Sequence, residues 1–254
     1  VLMALKIIFM GTPNFAVHIL KAIHGSEHKI LEVYTQPANK SGRGQKFNYS
    51  DVYNCAEQLN LSIRTPDTFE TIEEINHFKK LKPDLVVVVA YGKILPSILL
   101  NIDKLLFINV HASLLPKWRG AAPIQRAIMN SDSETGVSIM KITPRLDAGP
   151  VMLKEKIKIS KEITYQDLSK KMSEIGAKLI LESIKLIENN KANFIEQKES
   201  EASYAKKIQK KESKINWNES AKTIILKINA LHPNPGCWFK LLDSRIKVIK
   251  AIEI

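Results

Sequence analysis

The sequence predicts an α/β fold built on a mostly parallel sheet. Three observations carry this. Apolar runs of strand length alternate with segments of helical period along the first 130 residues. The clearest runs are continuously apolar, as in Leu85–Ala90, rather than alternating. Glycine or proline closes them, as at Gly11 and Gly92. Continuous apolar strands are buried on both faces, which a parallel sheet flanked by helices provides, and its crossovers are right-handed.

The first strand is Lys6–Met10, broken by Gly11–Thr12–Pro13. From Asn14, Phe15, Val17, Ile19, Leu20 and Ile23 recur at helical spacing, so strand, turn and helix open a βαβ unit. Residues 29–37 give the next strand. The polar, basic stretch 38–50 that follows has the length and composition of a functional surface loop. A helix over 51–60 takes Ser50 or Asp51 as its cap. A short strand at 61–66, a helix at 71–81, and strands at 84–92 and 104–112 complete the alternation. Ligands of such sheets bind beyond the C-terminal strand ends, so Gly11–Pro13, Tyr91–Pro96 and Asn109–Pro116 are expected close together.

Further on, residues 122–132 read as a helix with Pro123 in its first turn. Residues 134–159 read as two strands joined by a tight loop at Pro144–Pro150. A long amphipathic helix spans 164–190, with Thr164 and Asp167 resembling a capping box. Residues 191–216 are polar and basic and read as a linker. A helix and two strands, joined at Asp243–Ser244, follow.

The 254 residues are 44% apolar, enough for a large α/β domain with a small appendage. The formal charge is +12, of which +4 falls on residues 1–150 and +8 on 151–254. A lysine-rich composition and a polyanionic partner account for that charge about equally well. Cys55 and Cys237 form no CxxC pair and suit a reducing compartment as structural thiols. No apolar stretch approaches the ~20 residues of a membrane span, and no signal-peptide pattern opens the chain, so a cytoplasmic protein is expected.

The chemistry concentrates in "INVHASLLPKWRG", residues 108–120. Asn109 and His111 are two apart, and on a strand such residues share a face. An amide NH₂ donates hydrogen bonds without changing charge, and an imidazole exchanges protons near neutrality. Together they suit an oxygen that becomes negative during attack at a carbonyl. A third group should orient the histidine, and Asp147 in the "RLDAGP" loop is the candidate. Alone, each of these residues reads as an ordinary strand-end or turn residue. Ser113 is an alternative nucleophile near His111, but Leu114, Leu115 and Pro116 around it look more like a pocket wall. The chain has no GxGxxG, GxSxG or P-loop, and His18, His24, His28, His77 and His232 show no metal-ligand spacing.

The blocks "FMGTPNFAV", "QPANKSGRGQK", "VVVAYGKILP", "INVHASLLPKWRGAAPIQRAI" and "TGVSIMKITPRLDAGPV" resemble, in order and spacing, the folate-dependent amino-group formyltransferases. The "GRGQK" loop, "ASYAKKIQKKESKINW" and "ALHPNPGCWF" narrow the resemblance to the methionyl-tRNA branch. It covers almost the whole chain. It implies a Rossmann-like formyltransferase catalytic domain over 1–190, a basic linker at 191–216, and a C-terminal tRNA-binding domain at 217–254. That last domain would be a small β-barrel of the oligonucleotide-binding (OB) type. A helix and two strands are too little to close one, so it is expected to be incomplete and shortened. The implied donor is 10-formyltetrahydrofolate, and the implied acceptor is the α-amino group of initiator methionyl-tRNA. No metal or membrane is involved, and the protein is expected to act as a monomer. By resemblance Asn109, His111 and Asp147 are catalytic. Ser113, Leu114, Leu115 and Pro116, with Tyr91, Ile94, Leu95 and Pro96, bind the folate. Arg43, Lys46, Lys206, Lys207 and Lys210 meet the tRNA, joined in the basic stretch by Lys211 and Lys214. Two rivals are a formyltransferase acting on a sugar nucleotide or other small amine, and an RNA-binding protein that kept the fold without the chemistry.

Overall fold

The computed structural model describes residues 4–41 and 46–252. Strand β1 (Lys6–Gly11) is buried after its first residue and leads through Thr12–Pro13 into α1 (Phe15–His24), which buries Phe15, Ala16, Ile19, Leu20 and Ile23. β2 (Lys29–Tyr34) follows. The stretch expected as a loop carries a small hairpin, β3 (Asn39–Ser41) and β4 (Lys46–Asn48). Ser50 caps α2 (Asp51–Gln58), its hydroxyl accepting from the Tyr53 amide at 2.9 Å. Next come β5 (Ile63–Arg64), α3 (Ile72–Leu81), the fully buried β6 (Leu85–Val89), a single turn α4 (Ser97–Leu100) and β7 (Leu106–His111). Beyond them lie β8 (Arg119–Gly120), α5 (Pro123–Met129), β9 (Glu134–Lys141), β10 (Val151–Lys158) and the 24-residue α6 (Tyr165–Glu188). The expected cap of α6 is present: the Asp167 amide donates to Thr164 Oγ1 at 3.2 Å. β11 (Tyr204–Ala205), α7 (Ala221–Leu231), β12 (Cys237–Leu241) and β13 (Ser244–Val248) close the chain.

Two compact units emerge. One holds residues 1–111, 138–154 and 173–196; the other holds 112–137, 155–172 and 197–254. The first is organised by a sheet of order β10-β9-β7-β6-β1-β2-β5. β5, β2, β1, β6 and β7 are parallel, and β9 runs antiparallel to β7. The chain winds from β1 out to β5, then returns to place β6 on the other side of β1. Strand order therefore reverses between β1 and β6, where doubly wound sheets open a ligand crevice.

One face of this sheet packs on α3 through an aromatic cluster. Tyr34 and Phe69 have ring centroids 5.3 Å apart, and Phe78 stacks on Phe107 at 6.0 Å. A fully buried phenylalanine stabilises the fold by about 2–3 kcal/mol, so these rings anchor the sheet's middle. The other face meets α1 and α6, where Gly176 lets Val110 and Ile19 come close.

In the second unit, β8 pairs in parallel with β11, and α5 packs on α7. Ile215, Ile228, Leu231 and Cys237 form its core, with Met129, Ile208 and Phe239 against them. β12 and β13 make a two-stranded antiparallel sheet, so the C-terminal part is a helix with one hairpin. The stretch read as a linker contains two short 3-10 turns, Glu199–Glu201 and Lys210–Ser213, as well as β11. Among the described residues no helix is long and apolar enough to cross a membrane.

Candidate active site

Phe107, Asn109 and His111 occupy alternate positions of β7 and so share one face. That face is apolar at Phe107, within the aromatic cluster, and becomes polar at the next two positions, toward the strand's C-terminal end. Val110 points the other way, to Gly176 and Ile19. The amide and the imidazole therefore emerge together where the strand leaves the core.

His111 is only 6% exposed, and its Nδ1 lies 3.6 Å from Asp147 Oδ2. This is ion-pair reach, longer than a good hydrogen bond. Strand register brings the carboxylate there. Ser138 of β9 pairs with His111, and Met140 pairs with Asn109. The Ile142 amide then donates to the Phe107 carbonyl at 2.9 Å, and the Lys141 amide to the Pro150 carbonyl at 2.9 Å, which closes the 142–150 loop. Gly149 is required by close approach, since a Cβ there would overlap the Lys141 carbonyl. Asp147 itself has φ 45°, a left-handed conformation that aspartate tolerates better than most residues. Holding it costs on the order of 1 kcal/mol, which the closed loop offsets.

The turns after β1, β2 and β6 are tied to each other. Thr12 Oγ1 donates to the Tyr91 carbonyl at 2.9 Å, and Gln36 Nε2 donates to the same oxygen at 3.0 Å. The Val52 amide donates to the Thr12 carbonyl at 3.3 Å. Gly92 has φ 79°, a conformation that residues with a side chain rarely adopt, and the end of the Gln36 side chain lies against it. The expected approach of Gly11–Pro13 to Tyr91–Pro96 is thus present, whereas Gln36 was not singled out in the sequence. The signal for Gln36 was the one Thr12 also carries, a polar residue preceding a proline at a strand's C-terminal end.

The comparisons with known proteins agree with one another. Residues 5–184 match the family model described as formyl transferase, and residues 207–254 match its C-terminal domain. A methionyl-tRNA formyltransferase of Pelagibacter ubique is 51% identical over 250 residues, covering 98% of this chain and 81% of the relative. One from Coxiella burnetii is 48% identical over 252 residues, covering 99% and 80%. The chain belongs to the methionyl-tRNA formyltransferase family. Solved structures share the fold at lower identity. A 4-N formyltransferase from Francisella tularensis has a TM-score of 0.75 at 20% identity, covering 98% of this chain and 99% of that one. HypX from Aquifex aeolicus, in complex with tetrahydrofolic acid, has a TM-score of 0.73 at 17% identity, covering 98% of this chain and 38% of its own.

The other residues that the family resemblance singled out take varied positions. The Tyr91 ring is buried in the aromatic cluster, and burial pushes its phenol well above the usual tyrosine range. Ile94 is 93% exposed, Leu95 packs on the edge of that cluster, and Pro96 precedes α4. In the second unit, Ser113 is buried and its hydroxyl donates to the Lys117 carbonyl at 2.6 Å, so it shapes the turn. Leu115 is buried, while Leu114 and Pro116 are half-buried. Lys206, Lys207, Lys210, Lys211 and Lys214 are all exposed. Lys46 opens β4, and Arg43 lies outside the described residues.

Two arginines of the second unit went unread in the sequence. Arg119 is 1% exposed, with Nε on Gln197 Oε1 at 3.0 Å and Nη1 on the Glu199 carboxylate at 3.0 Å. Arg126 grips Glu212 at 2.6 Å. Their partners lie 78 to 86 residues away in sequence, so spacing carries no sign of them.

Among the described residues, one group of three possible metal ligands comes together: Glu27, His28 and Glu188. It sits at the N-terminal end of β2, the opposite end of the parallel strands from His111. His28 Nδ1 accepts from the Leu5 amide at 3.3 Å, which puts the ring proton on Nε2 and disfavours a metal there.

Proposed function

We propose that the chain transfers the formyl group of 10-formyltetrahydrofolate to the α-amino group of methionine on initiator tRNA, giving N-formylmethionyl-tRNA for translation initiation. The observation that carries this reading is the contact of His111 with Asp147, with Asn109 two residues earlier on the same strand face, in a chain of this family.

The amine nitrogen attacks the formyl carbon and forms a C–N bond. The carbonyl π electrons move onto oxygen. Asn109 Nδ2 and protonated His111 donate to that oxygen as it becomes negative. Each such donor lowers the barrier by about 3 kcal/mol, roughly a hundredfold or more in rate. Asp147 orients the ring, compensates the positive charge on it, and helps to remove the proton that the attacking amine must lose. The bond from the formyl carbon to the folate nitrogen then breaks, the carbonyl re-forms, and the folate nitrogen takes up a proton. Proton transfers and charge stabilisation by these three side chains suffice, without a metal.

Folate contacts are assigned to Ser113, Leu114, Leu115 and Pro116, and to Tyr91, Ile94, Leu95 and Pro96. With the Tyr91 ring in the core, its contribution falls to the main chain beside Ile94. Arg43, Lys46, Lys206, Lys207 and Lys210 are assigned to tRNA phosphates, a role of positioning more than of sequence reading. One chain carries all three catalytic residues, which supports a working monomer, and the cytoplasm is the compartment this reading assigns.

The test presents the protein with 10-formyltetrahydrofolate and, separately, methionyl-tRNA, free methionine and amino-sugar nucleotides. Formyl transfer is expected to the charged tRNA, with an affinity that falls steeply with salt. Equal or faster transfer to a small amine would overturn the assignment of acceptor. Retained tRNA binding without any transfer would favour an RNA-binding protein.

A further inference from the structure

Arg126, on α5, is the centre of a polar clamp on the basic stretch of the second unit. Its Nη1 and Nη2 hold Glu212 Oε2 and Oε1 at 2.6 and 3.0 Å. Its Nε donates to the Lys206 carbonyl at 3.1 Å, and Nη2 also reaches the Lys207 carbonyl at 3.5 Å. Glu212 in turn accepts from the Gln209 amide at 2.7 Å, which caps the 3-10 turn Lys210–Ser213. The Arg126 guanidinium beside Glu212 holds its carboxyl below the usual range. Upstream, the Ala121 and Ala122 amides donate to the Ala205 carbonyl at 2.9 and 3.3 Å. The main chain from 205 to 212 is thus fixed at several points.

The side chains on that fixed backbone do the opposite. Lys206, Lys207, Lys210 and Lys211 are exposed, and each of the first two gives its carbonyl, not its ammonium, to the clamp. Arg126, Tyr204, Lys206, Lys207, Gln209 and Lys211 border an open depression of about 400 Å³. Its one carboxylate, Glu212, is already bound by Arg126, so the rim is left with a strong excess of positive charge.

We infer that the Arg126–Glu212 pair is a positioning device for RNA: it presets the backbone from Lys206 to Lys211 so that these lysines meet successive phosphates as a ready-made row. This rests on the reading of the acceptor as a tRNA. A lysine on a floppy linker loses backbone and rotamer freedom when it binds a phosphate; on a clamped backbone only the rotamer part remains to be lost. Arg126 acts through the lysines and touches no reacting group.

The test uses the full chain and steady-state kinetics with methionyl-tRNA over a salt series. Arg126→Gln and Glu212→Gln are each expected to raise KM for the charged tRNA about tenfold and to flatten the log–log salt dependence by about one phosphate contact or more. The kcat at saturating tRNA and the KM for the formyl donor should stay unchanged. Arg126→Lys, which keeps a cationic donor for the Glu212 carboxylate and the main-chain carbonyls, should lose less affinity than Arg126→Gln. Should Arg126→Gln fold poorly, Glu212→Gln, which keeps a hydrogen-bonding acceptor, is read in its place. Unchanged KM and salt slope in the single variants, a fall in kcat instead, or an Arg126→Lys variant no better than Arg126→Gln would each overturn the inference. Lys206→Gln with Lys207→Gln separates the two layers. If that pair changes KM and slope while the clamp variants do not, only the positioning role fails; if it changes neither, the tRNA reading of this stretch fails.

Discussion

The end of β7 and the stretch 203–212 place charged side chains by different means. At β7 the backbone does the work: strand pitch puts Asn109 and His111 on one face, and the register with β9 delivers Asp147. In the stretch 203–212 there is little regular structure, and side chains hold the backbone: Arg126 on two carbonyls and Glu212, and the Ser203 hydroxyl accepting from the Trp118 amide at 2.9 Å. Strand geometry fixes atoms to a fraction of an ångström, as chemistry at a carbonyl demands. Tethers of this kind suffice for lysines that must only find phosphates. Substitutions at β7 should therefore act on kcat, and those in the clamp on KM.

The largest effect should come from the first region. His111→Ala and Asp147→Ala are each expected to lower kcat by about a thousandfold and Asn109→Ala by about a hundredfold, following the usual cost of losing an oxyanion donor or its support. The KM for charged tRNA should move little. Single-turnover assays at saturating tRNA check this, and turnover within a few-fold of the parent for either His111→Ala or Asp147→Ala would refute the assigned roles.

A buried cation tests whether tethering in the second region also carries stability. Arg119 is nearly inaccessible, whereas its partner Glu199 has a side chain 55% exposed. Arg119→Ala leaves a cavity and frees the turn Glu199–Glu201, but it leaves no buried carboxylate behind. The expected loss is about 3 kcal/mol, read as a lower urea midpoint with an unchanged slope. A loss near zero would mean that β8 and β11 hold this stretch without the arginine.

What the sequence made legible follows the same division. The parallel sheet was readable because β6 and the buried part of β1 are continuously apolar, and the Asn–His pair of β7 because period two is a local rule. The capping of α2 by Ser50 and of α6 by Thr164 was readable for the same reason. Asp147 was a candidate partner of His111 on chemical grounds, strengthened by resemblance to a family, but 36 residues of chain separate them and register decides the meeting. Residues 191–216 read as a linker because they are polar and charged. Yet charge also marks residues that grip partners far along the chain, as Glu199 and Glu212 do. Composition cannot tell a solvated carboxylate from one closing a clamp. Tyr91, assigned to the folate by resemblance, has its ring drawn inward by the cluster of Phe69 and Phe78, a packing that no local pattern in the sequence marks.

A backbone test of the first region should show a smaller effect. Gly149→Ala forces a methyl group against the Lys141 carbonyl, so the 142–150 loop must shift and carry Asp147 with it. An expected loss of about 1–2 kcal/mol in stability accompanies a kcat reduced about tenfold. Gly25→Ala is the control: its Cβ would meet only ordinary contacts at 3.4 and 3.8 Å from backbone oxygens, at a right-handed φ of −77°. That variant should be neutral or slightly more stable, because alanine narrows the unfolded ensemble. Equal behaviour of the two would show that the loop's position does not depend on Gly149.

The last effect is absent at neutral pH and concerns a thiol of the second unit. Burial pushes Cys237 up to about 11, with Glu219 adding to the rise and Lys227 opposing it. In the unfolded chain a cysteine loses its proton near pH 8.5. Between those values the folded state holds a proton that the unfolded state has released, so stability is full below about pH 8 and declines as pH rises toward 11. The slope cannot exceed one proton, about 1.4 kcal/mol per pH unit. Urea midpoints measured from pH 7.5 to 10.5 should fall more steeply for the parent than for Cys237→Ala, and alkylation at pH 8 should be slow until denaturant is added. Parallel midpoint curves for the two proteins would mean that α7 and β12 part before the thiol is asked to ionise.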